Sequence, residues 1–204
     1  VTSPYSNRAP LARLAARWPG VPGILPPLIA LTDPDRTPDV LAFAEALPDG
    51  CALIYRHFEA ADHIEIAGAL ALIAERKGLT FLVAADPALA KAVEADGVHW
   101  PARLARAARD WRRTHADAVM TMSAHDRSEL EQAARCGADA ALLSPVFTTR
   151  SAGSGEALGR FRAAALVRQS PLPVYALGGV NARTAKRLPG TGFSGLAGID
   201  GLSA

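Results

Sequence analysis

Short apolar runs alternate with helical patterns along most of this chain. The runs are apolar at successive positions, and turns rich in glycine, proline or aspartate separate them from the helical segments. Strands of a parallel sheet that is buried on both faces show this pattern. We predict eight strands, at Pro27–Thr32, Ala52–Tyr55, Thr80–Val83, Gly97–His99, Ala118–Met122, Ala140–Leu143, Val174–Leu177 and Gly195–Ile199.

Helices are predicted between these strands, for example at His63–Lys77, Ala102–Arg113 and Asp126–Cys136. Eight repeats of strand and helix favour a closed barrel over an open sheet. We therefore predict a compact (β/α)8 TIM barrel as a single domain over residues 23–204. We expect residues 1–22 to form an N-terminal arm or a helix that covers the bottom of the barrel. The last helix is expected to be truncated or missing, so the arm or a partner subunit is expected to cover the gap.

Composition narrows the class of protein. Half of the 204 residues are hydrophobic, which suits one sizeable core, and the net charge of +2 gives no strongly basic face for nucleic acid. Two cysteines, Cys51 and Cys136, are too few for a disulfide framework and are interpreted as buried apolar residues. Without a membrane-spanning run or a signal-peptide pattern, we expect a cytoplasmic protein.

Polar side chains follow the carboxyl ends of the predicted strands, where TIM barrels carry their chemistry. The loops that lead into strands are acidic instead, which argues against the alternative that loops are simply polar everywhere. Arginine, histidine, serine and threonine on one rim suit a small anionic substrate. The candidate binding residues on this rim are Arg56, Asp86, His99, Ser123, Thr149, Ser151, Gly178 and Gly179.

The pair Gly178–Gly179 follows the seventh strand, and Asn181–Leu188 is predicted to be a helix. Bare backbone amides at such a junction can hold a phosphate, because glycine has no side chain to block its approach. The alternative is a turn that merely reverses the chain.

His125 follows the fifth strand and precedes a helix that Asp126 can cap. An imidazole exchanges protons near neutral pH, so His125 is the candidate general base; the alternative is a capping or loop histidine. The chain has no nucleophile elbow, no Gly-x-x-x-x-Gly-Lys loop and no His-Glu-x-x-His motif.

Several of these residues together resemble the family that joins thiamin phosphate synthase to TenI, the thiazole tautomerase. The resemblance spans about residues 27–202 and rests on motifs in the same order and spacing. It implies that Gly178 and Gly179 hold a thiazole phosphate, that residues 198–201 complete this site, and that His125 moves the proton in the tautomerase branch. The motifs are Leu31-Thr-Asp33, Arg56, Ala95-Asp-Gly-Val-His99, Ser123-Ala-His125, Gly137-Ala-Asp139, Pro145-Val-Phe147, Thr149 and Leu177-Gly-Gly179.

The chain departs from the synthase pattern at the residues expected to hold Mg2+ and pyrophosphate. The family's Asn-Asp pair falls on Ala84-Ala85, so Asp86 is a candidate metal ligand only if the register shifts by one residue. Leu104 stands at the second acidic position, and Ala152 falls near the expected loop lysine. Only Arg56 remains of the Gln-x-Arg-x-Lys pattern, and Asp200 replaces a small hydroxyl residue.

Three functional hypotheses follow from these departures. The first is a TenI-like thiazole phosphate tautomerase, which needs a phosphate anchor, a base and a dry pocket with walls such as Tyr55, Phe58 and Trp100. The second is a divergent thiamin phosphate synthase, for which Mg2+ is a possible cofactor. The third is a non-catalytic binder of a thiamin precursor. In each case the expected partner is a small phosphorylated thiazole or pyrimidine, with a homodimer possible and with no membrane or nucleic acid.

Overall fold

The computed structural model describes residues 9–56, 60–149 and 155–199. Eight parallel strands close into a barrel in the order β1 to β8, with β1 paired to β8. This confirms the TIM barrel predicted from the sequence. The strands are β1 (Leu28–Leu31), β2 (Ala52–Tyr55), β3 (Thr80–Ala84), β4 (Gly97–Trp100), β5 (Val119–Ala124), β6 (Ala140–Leu143), β7 (Val174–Ala176) and β8 (Gly195–Gly198).

Helices cover the outside of the barrel between successive strands. They are α1 (Ala9–Ala15), α2 (Val40–Glu45), α3 (His63–Lys77), α4 (Pro87–Ala92), α5 (Ala105–Arg112), α6 (Arg127–Arg135) and α7 (Gly159–Gln169), with 3-10 turns at Ala102–Leu104 and Ala185–Arg187. The last helix was predicted to be truncated or missing, and residues 200–204, which follow β8, lie outside the described residues.

Two apolar layers result from the alternation of side chains along each strand. The inner cluster contains residues from alternate strand positions, such as Ile29, Leu142 and Tyr175, and none from a helix of the described chain. The outer cluster combines the opposite strand faces with helix residues such as Phe43 and Leu70. Burial on both faces explains why the strand sequences are continuously apolar.

The N-terminal segment packs onto the barrel. Leu11 and Ala15 of α1 are buried in the outer cluster, and α1 contacts the 3-10 turn Ala185–Arg187 that follows β7. Leu25 joins the inner cluster at the amino-terminal end of the barrel, where the Tyr175 hydroxyl donates to the Pro26 carbonyl over 2.9 Å. This segment therefore contributes to both apolar layers.

Two of the acidic residues that precede strands stabilise the barrel through hydrogen bonds to the backbone of a neighbouring strand. Asp96 accepts a hydrogen bond from the Phe81 amide, and Asp139 accepts one from the Met120 amide, each over 2.7 Å. Arg112 binds the same Asp139 oxygen from α5, also at 2.7 Å. Arg112 is half-buried, whereas the other arginines of this stretch, Arg103, Arg106, Arg109 and Arg113, are exposed.

Both cysteines are buried, as predicted. Among the described residues, no helix is both long enough and apolar enough to cross a membrane.

Candidate active site

The candidate site lies at the carboxyl ends of the strands, where most of the predicted residues are described. Arg56 follows β2, His99 lies on β4, Ser123 on β5, and His125 just beyond β5. Thr149 is half-buried in the loop after β6. Ser151 and Ala152 of the same loop, together with Phe58 and Asp200, fall outside the described residues.

The Gly178–Gly179 turn is held against the loop that follows β6. The Phe147 amide donates to the Gly178 carbonyl over 3.0 Å, and the Thr184 hydroxyl donates to the Gly179 carbonyl over 2.8 Å. The carbonyls are therefore occupied, whereas within the described chain neither glycine amide donates to any acceptor. Two successive amides without an acceptor are suited to bind an anion.

Both positions require glycine. Their φ angles are +85° and +63°, a region that L side chains rarely adopt. A Cβ on Gly178 would lie 2.7 Å from the Pro145 Cα, and a Cβ on Gly179 would lie 2.8 Å from the Phe147 Cβ. The close approach of the two loops thus depends on the absence of side chains.

The helix predicted at Asn181–Leu188 is wrong. The Asn181 carboxamide oxygen accepts from the amides of Arg183 and Thr184, and the Thr184 hydroxyl accepts from the Asn181 amide. These local side-chain bonds close a turn that competes with helix formation, so only the 3-10 turn Ala185–Arg187 follows. The amides of the glycine pair therefore do not lie at the start of an α-helix.

His125 is an exposed residue with one ring nitrogen in a hydrogen bond. Its Nδ1 lies 2.7 Å from the Ser144 carbonyl oxygen, at the end of β6. A carbonyl can only accept, so Nδ1 carries a proton, and in the neutral form of the ring the lone pair lies on Nε2. The His125 amide donates to Glu129 over 2.8 Å, and Asp126 caps α6, so the backbone beside the imidazole is held as well.

His99 is buried inside the barrel and bonds to two hydroxyls of β5. Its Nδ1 lies 2.8 Å from Thr121 Oγ1, and its Nε2 lies 3.0 Å from Ser123 Oγ. Burial, aided by the positive charge of Arg56, lowers the pKa of His99 to about 3, so the ring is neutral. Both ring nitrogens are engaged, and only Ser123 of the two hydroxyl residues is partly exposed.

Arg56 is fixed in the mouth of the barrel by residues that directly follow β1. Its Nε donates to the Thr32 carbonyl over 2.6 Å, and its Nη2 donates to Asp33 Oδ2 over 2.7 Å. Arg36 donates to the same carboxylate oxygen over 3.0 Å. Burial alone would raise the pKa of Asp33, but the hydrogen bond and charge of Arg36 and the charge of Arg56 outweigh it and lower the pKa.

Two of the aromatic residues considered as pocket walls belong to the core. Tyr55 and Trp100 are buried in the outer cluster, between the barrel and its helices. Their strand positions point away from the barrel interior, so they do not line the mouth. The prediction that Tyr55 and Trp100 form walls of the pocket is therefore wrong, and both are ordinary core residues.

Comparisons with known proteins bear on this site. The family model described as thiamine monophosphate synthase matches residues 28–202. The chain belongs to this family. The thiamine-phosphate synthase of Geobacillus kaustophilus is 31% identical over 150 residues, which cover 71% of this chain and 66% of the relative. The Chloroflexus aurantiacus thiamine-phosphate synthase is 31% identical over 155 residues, covering 73% and 69%.

A solved structure agrees with these relatives. The thiamine phosphate pyrophosphorylase from Pyrococcus furiosus superimposes with a TM-score of 0.72 at 26% identity, over 85% of each chain. The two synthases above match over about two thirds of their own length. The family predicted from the sequence is therefore confirmed, and the particular reaction is a separate question.

The family's metal positions are poorly equipped for a cation in this member. Asp86 uses its carboxylate to cap α4, with Oδ1 accepting from the Leu89 amide over 2.9 Å. Ala85 and Leu104 offer no oxygen from their side chains. Within the described ranges, no group of three His, Cys, Asp or Glu side chains could hold a metal ion. These residues do not fit a bound Mg2+, which prefers several oxygen ligands.

Several residues of the site could not be assigned from the sequence. Asp33 was part of a motif, but its bond to Arg56 depends on the pairing of β1 with β2. Thr121 looks like an ordinary strand residue until its register opposite His99 is known. Glu129 did carry a signal, because an acidic residue three places after the cap Asp126 is typical of a helix start.

Proposed function

We propose that the mouth of this barrel binds a phosphorylated thiazole and that His125 transfers a proton on it, as in the tautomerase branch of the family. The observation that carries this proposal is the hydrogen bond from His125 Nδ1 to the Ser144 carbonyl. It assigns the lone pair to Nε2, and no described residue bonds to that nitrogen. The phosphate is proposed to bind the amides of Gly178 and Gly179.

The distance between anchor and base suits a small substrate. The glycine pair follows β7, and His125 follows β5, two strands away in the barrel. Neighbouring strands are about 4.8 Å apart, so the two groups are separated by roughly 10 Å. A heterocycle that carries its phosphate on a short arm can span this separation.

The proposed reaction needs only one proton donor and acceptor. Nε2 of His125 takes a proton from one atom of the bound ring system, and the resulting imidazolium returns it to another atom. Electrons move within the substrate, and no bond to phosphorus changes. A positioned acid–base group of this kind contributes about 10²–10⁴-fold in rate.

Replacement of His125 by Asn tests the proposal. The Asn amide can still donate to the Ser144 carbonyl but cannot act as a base, so proton exchange between the thiazole phosphate and D2O should slow at least ~100-fold. Calorimetric affinity for the same compound should stay within about threefold. His115→Asn is the matched control, because His115 lies in the loop after α5 and should leave both quantities unchanged. An unchanged exchange rate in His125→Asn would remove His125 from the mechanism.

A second candidate, a divergent thiamin phosphate synthase, is favoured by the names of the relatives and by the firmly held Arg56. It requires pyrophosphate release from an aminopyrimidine diphosphate in the presence of the thiazole phosphate. A coupled pyrophosphate assay with and without Mg2+ distinguishes the two candidates. Release of pyrophosphate at a rate that supports turnover would favour the synthase.

A further inference from the structure

Three side chains form a continuous hydrogen-bonded chain from the barrel interior to its mouth. Thr121 lies deepest and is fully buried, His99 is 5% exposed, and Ser123 is partly exposed. Thr121 and Ser123 lie on the inner face of β5, two residues apart, so Ser123 is about 7 Å nearer the mouth. The His99 ring bridges them through its two nitrogens.

The direction of the hydrogen bonds follows from counting protons. A neutral imidazole has one N–H and one lone pair. The Thr121 hydroxyl has a single hydrogen-bond partner among the described residues, namely His99 Nδ1. If Nδ1 carried the proton, the Thr121 hydroxyl proton would be buried without an acceptor, which disfavours that arrangement about tenfold or more.

Thr121 therefore donates to Nδ1, and Nε2–H donates to Ser123 Oγ. With one lone pair of Ser123 occupied by this bond, its hydroxyl proton is left to point elsewhere. If Nδ1 carried the proton instead, the Ser123 hydroxyl would donate to Nε2. Ser123 would then offer the ligand only the lone pairs of its oxygen. The buried threonine thus determines which kind of hydrogen bond the mouth offers.

We propose that His99 is a positioning residue that turns Ser123 into a hydrogen-bond donor toward the ligand, with Thr121 setting the direction. Ser123 then selects a ligand that presents an acceptor, such as an unprotonated ring nitrogen or an oxygen, at this point. This inference rests on the proposed function only in assuming that the ligand occupies the mouth beside Ser123.

The tautomer of His99 is measurable without any ligand. In protein labelled with ¹⁵N-histidine, long-range ¹H–¹⁵N correlations distinguish a ring protonated at Nε2 from one protonated at Nδ1, and His99→Gln assigns the signal by its disappearance. We expect the Nε2–H form at neutral pH. An Nδ1–H ring or an imidazolium would overturn the proposal, and this result does not depend on whether the thiazole phosphate binds.

Binding measurements test the action through Ser123. A Gln at position 99 can place its amide N–H near the Nε2 position, whereas Met has a similar size and no donor. We expect His99→Gln to bind the thiazole phosphate within about threefold of the parent protein and His99→Met to bind it about tenfold more weakly. Thermal unfolding of each variant shows that it is folded.

A double-mutant cycle decides between a positioning role and a general packing effect. Ser123→Ala should itself weaken binding about tenfold, and adding His99→Met to it should cause little further loss. If His99→Met weakens binding equally in both backgrounds, His99 does not act through Ser123. Failure of the thiazole phosphate to bind the parent protein would instead count against the proposed function, and the tautomer measurement would still decide the direction of the chain.

Discussion

Replacement of Gly179 by Ala provides a direct test of how the proposed anion-binding turn is built. The added Cβ would be inside contact distance of the Thr148 carbonyl oxygen and 2.8 Å from the Phe147 Cβ, at a φ of +63°. Gly50 is a matched control, because its φ is +70° and a Cβ there would meet nothing within 4 Å. The two substitutions therefore share the backbone strain and differ in the steric contact.

The expected magnitudes follow from these two contributions. A left-handed conformation costs an L residue about 1–2 kcal/mol, so Gly50→Ala should lower the free energy of unfolding by about 1 kcal/mol. Gly179→Ala has this cost and an overpacking cost of about 1–3 kcal/mol, because backbone must move. An additional 2 kcal/mol corresponds to roughly 4–8 °C in Tm for a protein of this size.

Thermal and denaturant unfolding of both variants measure this difference, and calorimetry with inorganic phosphate and thiazole phosphate measures the binding site. Gly179→Ala should be the less stable variant and should bind at least ~10-fold more weakly, whereas Gly50→Ala should bind normally. Equal stability of the two variants would refute the argument that the approach of the Phe147–Thr148 loop is what requires glycine. Normal binding by Gly179→Ala would refute the assignment of the turn as the phosphate anchor.

Three further predictions concern the scaffold and its pH dependence. Ala85 has a φ of 60°, so Ala85→Asn should stabilise the protein by about 0.5–1 kcal/mol in denaturant unfolding, and a loss of stability would contradict the strain at this turn. Arg112 donates to four carbonyls and to Asp139, so Arg112→Ala should destabilise by about 2–3 kcal/mol, against less than ~0.5 kcal/mol for the exposed Arg113→Ala. Burial lowers the pKa of His99 to about 3, whereas an unfolded histidine titrates near ~6.5; acid therefore protonates the unfolded chain first, and stability should fall between these values by up to ~1.4 kcal/mol per pH unit. His99→Gln should reduce the change of the free energy of unfolding per pH unit by the contribution of one proton. An unchanged pH dependence would show that His99 is protonated in the folded state.

The sequence predicted the barrel well because burial on both faces of each strand leaves a strong local pattern. Ala52–Tyr55 and Ala140–Leu143 match the predicted strands at both ends, and α3 matches from His63 to Lys77. The segment after Gly179 was wrongly predicted to be a helix, because hydrogen bonds of Asn181 and Thr184 fix a turn there. Such bonds depend on side-chain geometry that periodicity does not contain.

The site was only partly predictable for a related reason. The sequence identifies His125 and the glycine pair as residues at strand ends. It does not identify the hydrogen-bond partners that fix their orientation. The Ser144 carbonyl becomes the partner of His125 only because β5 and β6 pair in one register, with Ala124 opposite Leu143. Likewise, the register of β4 on β5 places His99 directly opposite Thr121.

These register-dependent contacts also divide the mouth into regions with different chemistry. The β7 side offers backbone amides, which bind an anion without any titrating group. The β4–β6 side offers the proposed donor of Ser123, beside His99 of β4, and the proposed base His125, whose Nδ1 lies beside the Ser144 carbonyl at the end of β6. Under the proposed function, a substrate held by its phosphate at β7 would present its other end to groups whose hydrogen-bonding roles are already set. Proton transfer benefits from a base that is already oriented. If the base had to reorient after the substrate binds, the free-energy cost of that movement would reduce the rate.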